Sequence, residues 1–243
     1  MVEHCCSRAG IADECAVSLI VPVLNEARII QDTLLAVRGV RGCYEVIIVD
    51  GGSDDGSLGL VSAAIEGDPR FKVISSLRGR GNQLNAGAAI ARGRVLLFLH
   101  ADTQLPDTAI QSIQHALEQP GIVGGNFRLE FEGPGLASHI FTWLNSLRRW
   151  FGIYYGDSAI WVRRDVFIRL GPLASARLME DYDLCRRLER TGPTACLSPP
   201  VITSARRWRH DGVIGTLIVW TVIQWLYLIG VSSDRLARLY YPE

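Results

Sequence analysis

The sequence predicts an α/β fold built on a mostly parallel, doubly wound sheet. Three observations predict it. Short apolar runs rich in β-branched residues recur at 17–23, 46–49, 71–74 and 95–99, as suits strands buried on both faces. Stretches with helical spacing of apolar residues separate those runs. The connections are short and carry Gly, Asn and Asp, so strand and helix alternate across about the first hundred residues. In such a sheet, ligands bind beyond the carboxyl ends of the strands.

The elements follow in order. Residues 1–16 read as a loose leader with no apolar segment after Met1, so no secretory signal is expected. After the first strand, Asn25 and Glu26 precede a helix carrying Ile29, Ile30, Leu34, Leu35 and Val37. Gly39 and Gly42 stop it. The second strand closes at Asp50, followed by the tight loop Gly51-Gly52-Ser53-Asp54-Asp55-Gly56 and a helix through Leu60, Val61, Ala64 and Ile65. Helix 81–91 lies between the third and fourth strands. Beyond Pro106 the pattern changes to α+β: a helix at 108–117, a strand at 122–131, an aromatic helix at 136–151, a strand at 156–162 and a helix through Asp181, Leu184 and Leu188. No linker, low-complexity tract or internal repeat divides the chain. A single domain over 17–210 is expected, with 211–243 as an apolar helix and tail.

Composition narrows the function classes. The 243 residues hold 25 basic and 25 acidic side chains, for a formal net charge of zero. That balance excludes a generally basic nucleic-acid binder. With 48% hydrophobic and 21% charged residues the chain is not disordered. Lys72 is the only lysine, a composition that codon usage explains and that carries no phosphate signal. The six cysteines form no C-x-x-C pair and no zinc spacing, which favours a reducing, cytoplasmic setting.

Five clusters could carry chemistry. Asp50 stands at a strand end, where a carboxylate can accept bonds from a base or ribose. Ser53, Asp54 and Asp55 suit a turn or helix cap equally well. The loop from Leu77 to Gly87, with Arg78, Arg80, Gln83 and Asn85, opens a helix whose N-terminus attracts anions. It is neither a Walker A loop nor a G-x-G-x-x-G fingerprint. At the fourth strand end, in Phe98-Leu99-His100-Ala101-Asp102-Thr103, the acid Asp102 could hold a divalent ion beside substrate phosphates, and His100 could join it as a ligand or hydrogen-bond donor. Glu180, Asp181 and Asp183 start a helix, where the dipole favours acids and where one could act as a general base. Spacing alone does not select which. Arg206, Arg207 and Trp208 suit a diphosphate, or equally a basic collar for the run that follows. That run, 213–231, is uncharged and about 28 Å long as a helix. Burial against a partner such as a second copy, an interfacial position and a membrane span all remain open for it.

The order of these motifs resembles a family 2 glycosyltransferase of the GT-A fold. The residues that carry the resemblance are Val21-Pro22-Val23-Leu24-Asn25-Glu26, Val49-Asp50-Gly51-Gly52-Ser53-Asp54-Asp55-Gly56, Phe98-Leu99-His100-Ala101-Asp102 and Glu180-Asp181-Tyr182-Asp183-Leu184. The Gly-Arg-Gly-x-Gln-x-Asn-x-Gly loop, the His-Ala-Asp form and the Arg-Arg-Trp end are similar to the subgroup called selenodomain-associated transferase 2, also labelled arsenosugar-biosynthesis glycosyltransferase. The resemblance implies an inverting transferase that uses a nucleotide-diphospho-sugar donor and a divalent cation, Mn or Mg. It implies donor contacts at Pro22, Asn25, Glu26, Asp50, Gly52, Ser53, Asp54, Arg80, Gln83, Asn85, His100, Ala101 and Asp102. Asp102 matches the metal-binding aspartate of the D-x-D motif. Asp181 matches the proposed catalytic base. Asp157, Glu180, Arg206, Arg207 and Trp208 fall on the acceptor or diphosphate side. His100 departs from the motif, because it replaces the usual first aspartate. The glutamine that usually precedes Arg-Trp is also unmatched. The acceptor is not named by the sequence. The expected location is the cytoplasm, peripheral to the inner face of the membrane, through 213–231 or a homodimer there. Two other classes fit parts of the pattern: a nucleotidyltransferase on a sugar phosphate, and a non-catalytic membrane-associated nucleotide-sugar-binding scaffold.

Overall fold

A computed structural model describes residues 16–133, 136–174, 178–204 and 213–240. Most of the predicted leader and the stretch with Arg206, Arg207 and Trp208 lie outside the described residues. Eight strands form one sheet in the order β3-β2-β1-β4-β7-β6-β8-β5. Its first half is β1 (Val17–Val23), β2 (Tyr44–Asp50), β3 (Phe71–Ser75) and β4 (Val95–Phe98), all mutually parallel. The second half is β5 (Thr103–Gln104), β6 (Gly124–Phe131), β7 (Ile160–Arg163) and β8 (Thr194–Thr203). There β7 runs antiparallel to both β4 and β6.

The central strands are continuous apolar runs because both faces are covered. Leu19, Val21 and Val23 point into one core with α1 (Ile30–Arg38) and α4 (Ala109–Leu117). Ile20 alternates to the other face. It packs there with Ile47, Val49 and Leu96 against α3 (Arg80–Ile90), α6 (Arg164–Leu170) and α7 (Glu180–Thr191). Each such fully buried aliphatic side chain contributes about 1.5–3 kcal/mol. The register pairs Val23 with Asp50 and Asp50 with Ser75, so these strands end level with one another. Helix α2 (Ser57–Ile65) follows the Asp50 loop.

The structure departs from the sequence-based expectation in several places. The strand expected at 156–162 is a 3-10 turn (Gly156–Ser158) followed by β7. Strand β8 was not expected, because Pro199 and Pro200 interrupt its pattern. Its pairing with β6 jumps from Phe127–Leu197 to Leu129–Val201, and this register break takes up both prolines. β5 has two residues and so no readable period. The aromatic helix is α5 (Leu136–Trp150). The apolar run forms α8 (Val213–Leu228), after which Gly230 turns the chain into α9 (Ser233–Tyr240). Among the described residues no helix is long and apolar enough to cross a membrane. Ile223 and Leu236 pack with Met179 and Tyr182 at the start of α7.

Candidate active site

The β1 and β2 loops are laced together beyond the strand ends. Asn25 accepts the Asp54 N–H at 3.0 Å, and its own N–H donates to Ser53 Oγ at 3.0 Å. Asn25 has φ +57°, a left-handed value that asparagine tolerates better than most residues. The Glu26 N–H donates to Ser57 Oγ and the Ala27 N–H to Asp55 Oδ2. The Asp55 carboxyl lies below its usual range, chiefly because the Ser57 hydroxyl donates to it. Asp55 is thus the loop tie, while Asp54 is exposed.

Asp50 is buried, and its carboxylate accepts the N–H groups of Gly52 (3.1 Å) and Ser53 (3.2 Å). Gly52 stands at φ +90°, where a side chain would be strained. Pro22, in register with Val49, is half-buried beside this loop.

Two expected donor contacts are occupied inside the protein. The Gln83 amide nitrogen donates to the carbonyls of Val23 and Val49, both at 2.8 Å. The Val23 carbonyl also accepts the Gly51 N–H at 2.9 Å, so Gln83 adds a tie from α3 across the ends of β1 and β2. Asn85 exchanges two hydrogen bonds, each 2.9 Å, with the backbone of Leu173. It anchors the segment after α6. Both amides are therefore structural ties in this fold. Arg80 also turns inward, pairing with Glu180 at 3.2 Å. Glu180 is 1% exposed, and its second oxygen has no partner. Burial pushes its carboxyl above the usual value, Arg80 pulls it back, and Asp181 pushes it further up. Met179, just before it, has φ +70° and is held by packing against Tyr182 and Ile223.

The fourth strand end meets the start of α7 at one glycine. Gly156 donates its N–H to Asp181 Oδ2 at 2.7 Å. The other oxygen of Asp181 accepts the Tyr182 N–H at 2.7 Å. A Cβ on Gly156 would collide with the His100 ring and lie 3.3 Å from Asp181 Oδ2. His100 and Asp181 therefore flank the same bare Cα. Asp157 follows in the same turn and is half-buried. Tyr155 precedes it, stacks on Tyr182 with centroids 6.2 Å apart, and donates its hydroxyl to Gln224 of α8 at 3.0 Å. Burial raises the Tyr155 phenol above its ordinary value.

Ala101 is buried, and its carbonyl accepts the Thr33 hydroxyl of α1. The Ser204 N–H donates to the Asp102 carbonyl at 3.3 Å, and Thr103 pairs with Thr203. Asp102 is thereby fixed between the β4 end and the β8 end. Among the described residues no group of three or more His, Cys, Asp or Glu side chains forms a metal cluster. The sequence reading missed Gly156, Tyr155 and the Arg80–Glu180 pair. In the turn at 155–157 the sequence pointed to Asp157 alone.

Residues 18–177 match the model of Glycosyl transferase family 2. EpsH of Bacillus subtilis, assigned to the glycosyltransferases, is 35% identical over 123 residues, covering 49% of this chain and 36% of that protein. An undecaprenyl-phosphate 4-deoxy-4-formamido-L-arabinose transferase of Yersinia pestis is 33% identical over 120 residues, covering 46% of this chain and 36% of that protein. The chain thus spans about a third of the length of these relatives. Mannosyltransferase PcManGT of Pyrobaculum calidifontis, solved with GDP-Man and Mn2+, superposes with TM-score 0.63 at 18% identity, covering 93% of this chain and 70% of that one. S. aureus TarS 1-349 with UDP-GlcNAc gives TM-score 0.63 at 18% identity, covering 79% and 59%. At those identities the likeness establishes a shared GT-A fold. With the family model covering well over half its length, the chain belongs to glycosyltransferase family 2.

Proposed function

We propose that the chain transfers a sugar from a nucleotide-diphospho-sugar to an acceptor hydroxyl, inverting the anomeric carbon. The observation that carries this reading is the junction at Gly156, which brings His100 of the β4 end and Asp181 of α7 to one point. The donors bound by the two structural neighbours, GDP-Man and UDP-GlcNAc, support the donor class.

In this reading the nucleobase lies against the laced loops. An ionised carboxylate has about four acceptor positions, so Asp50 can serve its own loop and a base N–H together. Pro22, Asn25, Glu26, Gly52, Ser53 and Asp54 form the edge around the base. The acceptor oxygen attacks the anomeric carbon from the face opposite the diphosphate. The carbon–oxygen bond to the diphosphate breaks, and its electron pair leaves with the nucleoside diphosphate. The acceptor proton passes to Asp181, whose orientation is set by the Gly156 and Tyr182 amides. Positioning and fixed dipoles supply most of the rate.

A divalent cation fits the strand end. Such ions often take one or two carboxylates plus substrate phosphate oxygens. Asp102 offers one carboxylate on a backbone fixed by Ser204 and Thr203. When bound, the ion neutralises charge on the leaving diphosphate. Asp102 would hold it, with His100 beside it. Glu180 and Arg80 hold the start of α7 in place, and Asp157 lines the acceptor side. Arg206, Arg207 and Trp208 are assigned to the diphosphate side.

The test is a panel of nucleotide-sugars with Mn2+. Release of nucleoside diphosphate, accelerated by an acceptor, supports transfer. Release of diphosphate from a nucleoside triphosphate and a sugar phosphate, or no turnover of any nucleotide, contradicts it.

A further inference from the structure

Helices α5 and α8 leave large side chains in water. On α5, Trp143, Leu147 and Trp150 recur with helical spacing, and Trp150 is 90% exposed. On α8, Val222, Trp225 and Leu228 are exposed with helical spacing, and Trp225 is 64% exposed. The helices touch through Phe141 and Trp220, whose ring centroids are 5.6 Å apart. Their stripes thus belong to neighbouring helices. Exposed apolar stripes on two touching helices mark a docking site.

Charge selects the occupant. Neither α5 nor α8 carries an acidic residue. Arg148 lies in the last turn of α5, and α9, whose one acid is Asp234, carries the exposed Arg235 and Arg238. A second copy docked face to face would set arginines against arginines. An anionic lipid surface complements the same arginines, and indole rings favour the boundary between headgroup and acyl chain.

The face is also continuous with the candidate active site. Gln224 of α8 accepts the Tyr155 hydroxyl, and Tyr227 meets Tyr182 edge-on at 5.7 Å. Tyr155 and Tyr182 flank the Gly156–Asp181 bond. A cavity of about 240 Å³ lies beside this junction, walled by Trp150 on one side and Tyr155 and Ser158 on the other.

We infer that α5 and α8 dock the protein on an anionic membrane surface, and that the acceptor is a hydroxyl-bearing lipid presented there. The acceptor part of this inference rests on the transferase reading above. The docking part rests on the two helices alone.

The experiment uses the full chain and vesicles of phosphatidylglycerol and phosphatidylethanolamine, with phosphatidylcholine vesicles as the control. Wild-type protein is expected to sediment with the anionic vesicles and not with the control. The triple variant Trp143→Ser, Leu147→Ser, Trp225→Ser is expected to bind the anionic vesicles at least about tenfold more weakly. Its circular dichroism and its donor hydrolysis in vesicle-free buffer should stay as in the wild type, which separates lost docking from lost folding. A wild-type protein that stays in the supernatant overturns the inference, and so does a triple variant that binds as well as wild type. So does a concentration-dependent dimer that the triple substitution abolishes. Donor turnover without vesicle binding refutes docking alone. Vesicle binding without donor turnover refutes the transferase reading alone. For the acceptor, radiolabel from the donor should enter the lipid extract of the anionic vesicles when a hydroxyl-bearing membrane lipid extract is included. Label transferred only to water-soluble acceptors overturns that part.

Discussion

Gly156 and Asp181 are joined by a 2.7 Å hydrogen bond, and the His100 ring occupies the place that a side chain on the same glycine would take. One residue without a side chain thereby spaces an imidazole from a carboxylate. Gly156→Ala would add a methyl where the ring sits. The ring or the turn must move, and a misplacement of about 1 Å at a reacting centre costs about 10²-fold in rate. The expected result is a kcat about 10²-fold lower with donor KM within about twofold. Steady-state kinetics on the purified variant check it.

Gln83→Leu tests the tie between α3 and the strand ends. The substitution removes one donor from each of two carbonyls, those of Val23 and Val49, while Val23 keeps the Gly51 N–H. Each lost hydrogen bond costs about 0.5–1.5 kcal/mol. A loss of about 1–3 kcal/mol of unfolding free energy is expected in urea titration. A donor-binding role alone would instead leave stability unchanged and raise donor KM.

Gln83 also shows where sequence reading stops. The glycine-rich loop correctly marks a helix opening near the strand ends, but the amide turns down onto backbone carbonyls. The first half of the sheet was legible because parallel strands buried on both faces leave continuous apolar runs, as at 17–23 and 46–49. β8 was not, because its prolines sit in a register break that only the partner strand β6 defines. Asp50, His100, Asp102 and Asp181 were legible as candidates because each ends a strand or opens a helix. The junction that joins two of them was not. Gly156 has no side chain to signal it, and its partners lie 56 positions before and 25 after it in the chain.

Glu180 carries a pH signature. Its carboxyl is raised above the usual value of 4.5, mainly by burial. The folded state therefore holds the proton more tightly than the unfolded chain. The stability this contributes is full below the unfolded value and is lost as pH rises through the folded one. Glu180→Gln never ionises. The difference in melting temperature, variant minus wild type, should rise in the variant's favour as pH is raised above the usual carboxylate range. A flat difference would show that Glu180 titrates normally. Melts at several pH values decide it.

Asp102→Asn removes the charge assigned to the cation. The Mn2+ concentration for half-maximal rate should rise at least about tenfold, since a hard ion loses its protein carboxylate. Chelation should silence the wild type, and added Mn2+ should restore it. An unchanged Mn2+ dependence would place the ion elsewhere.

The central claim is that Asp181 is the base. The direct measurement is the transfer rate of Asp181→Asn alongside its donor affinity, read by calorimetry. Asparagine keeps the shape and still offers an oxygen to the Gly156 N–H, but it cannot take the acceptor proton. Loss of a general base costs about 10²–10⁴ in rate. The account predicts a fall of that size with donor affinity intact. Near-wild-type transfer by the variant, with normal donor binding, would contradict it.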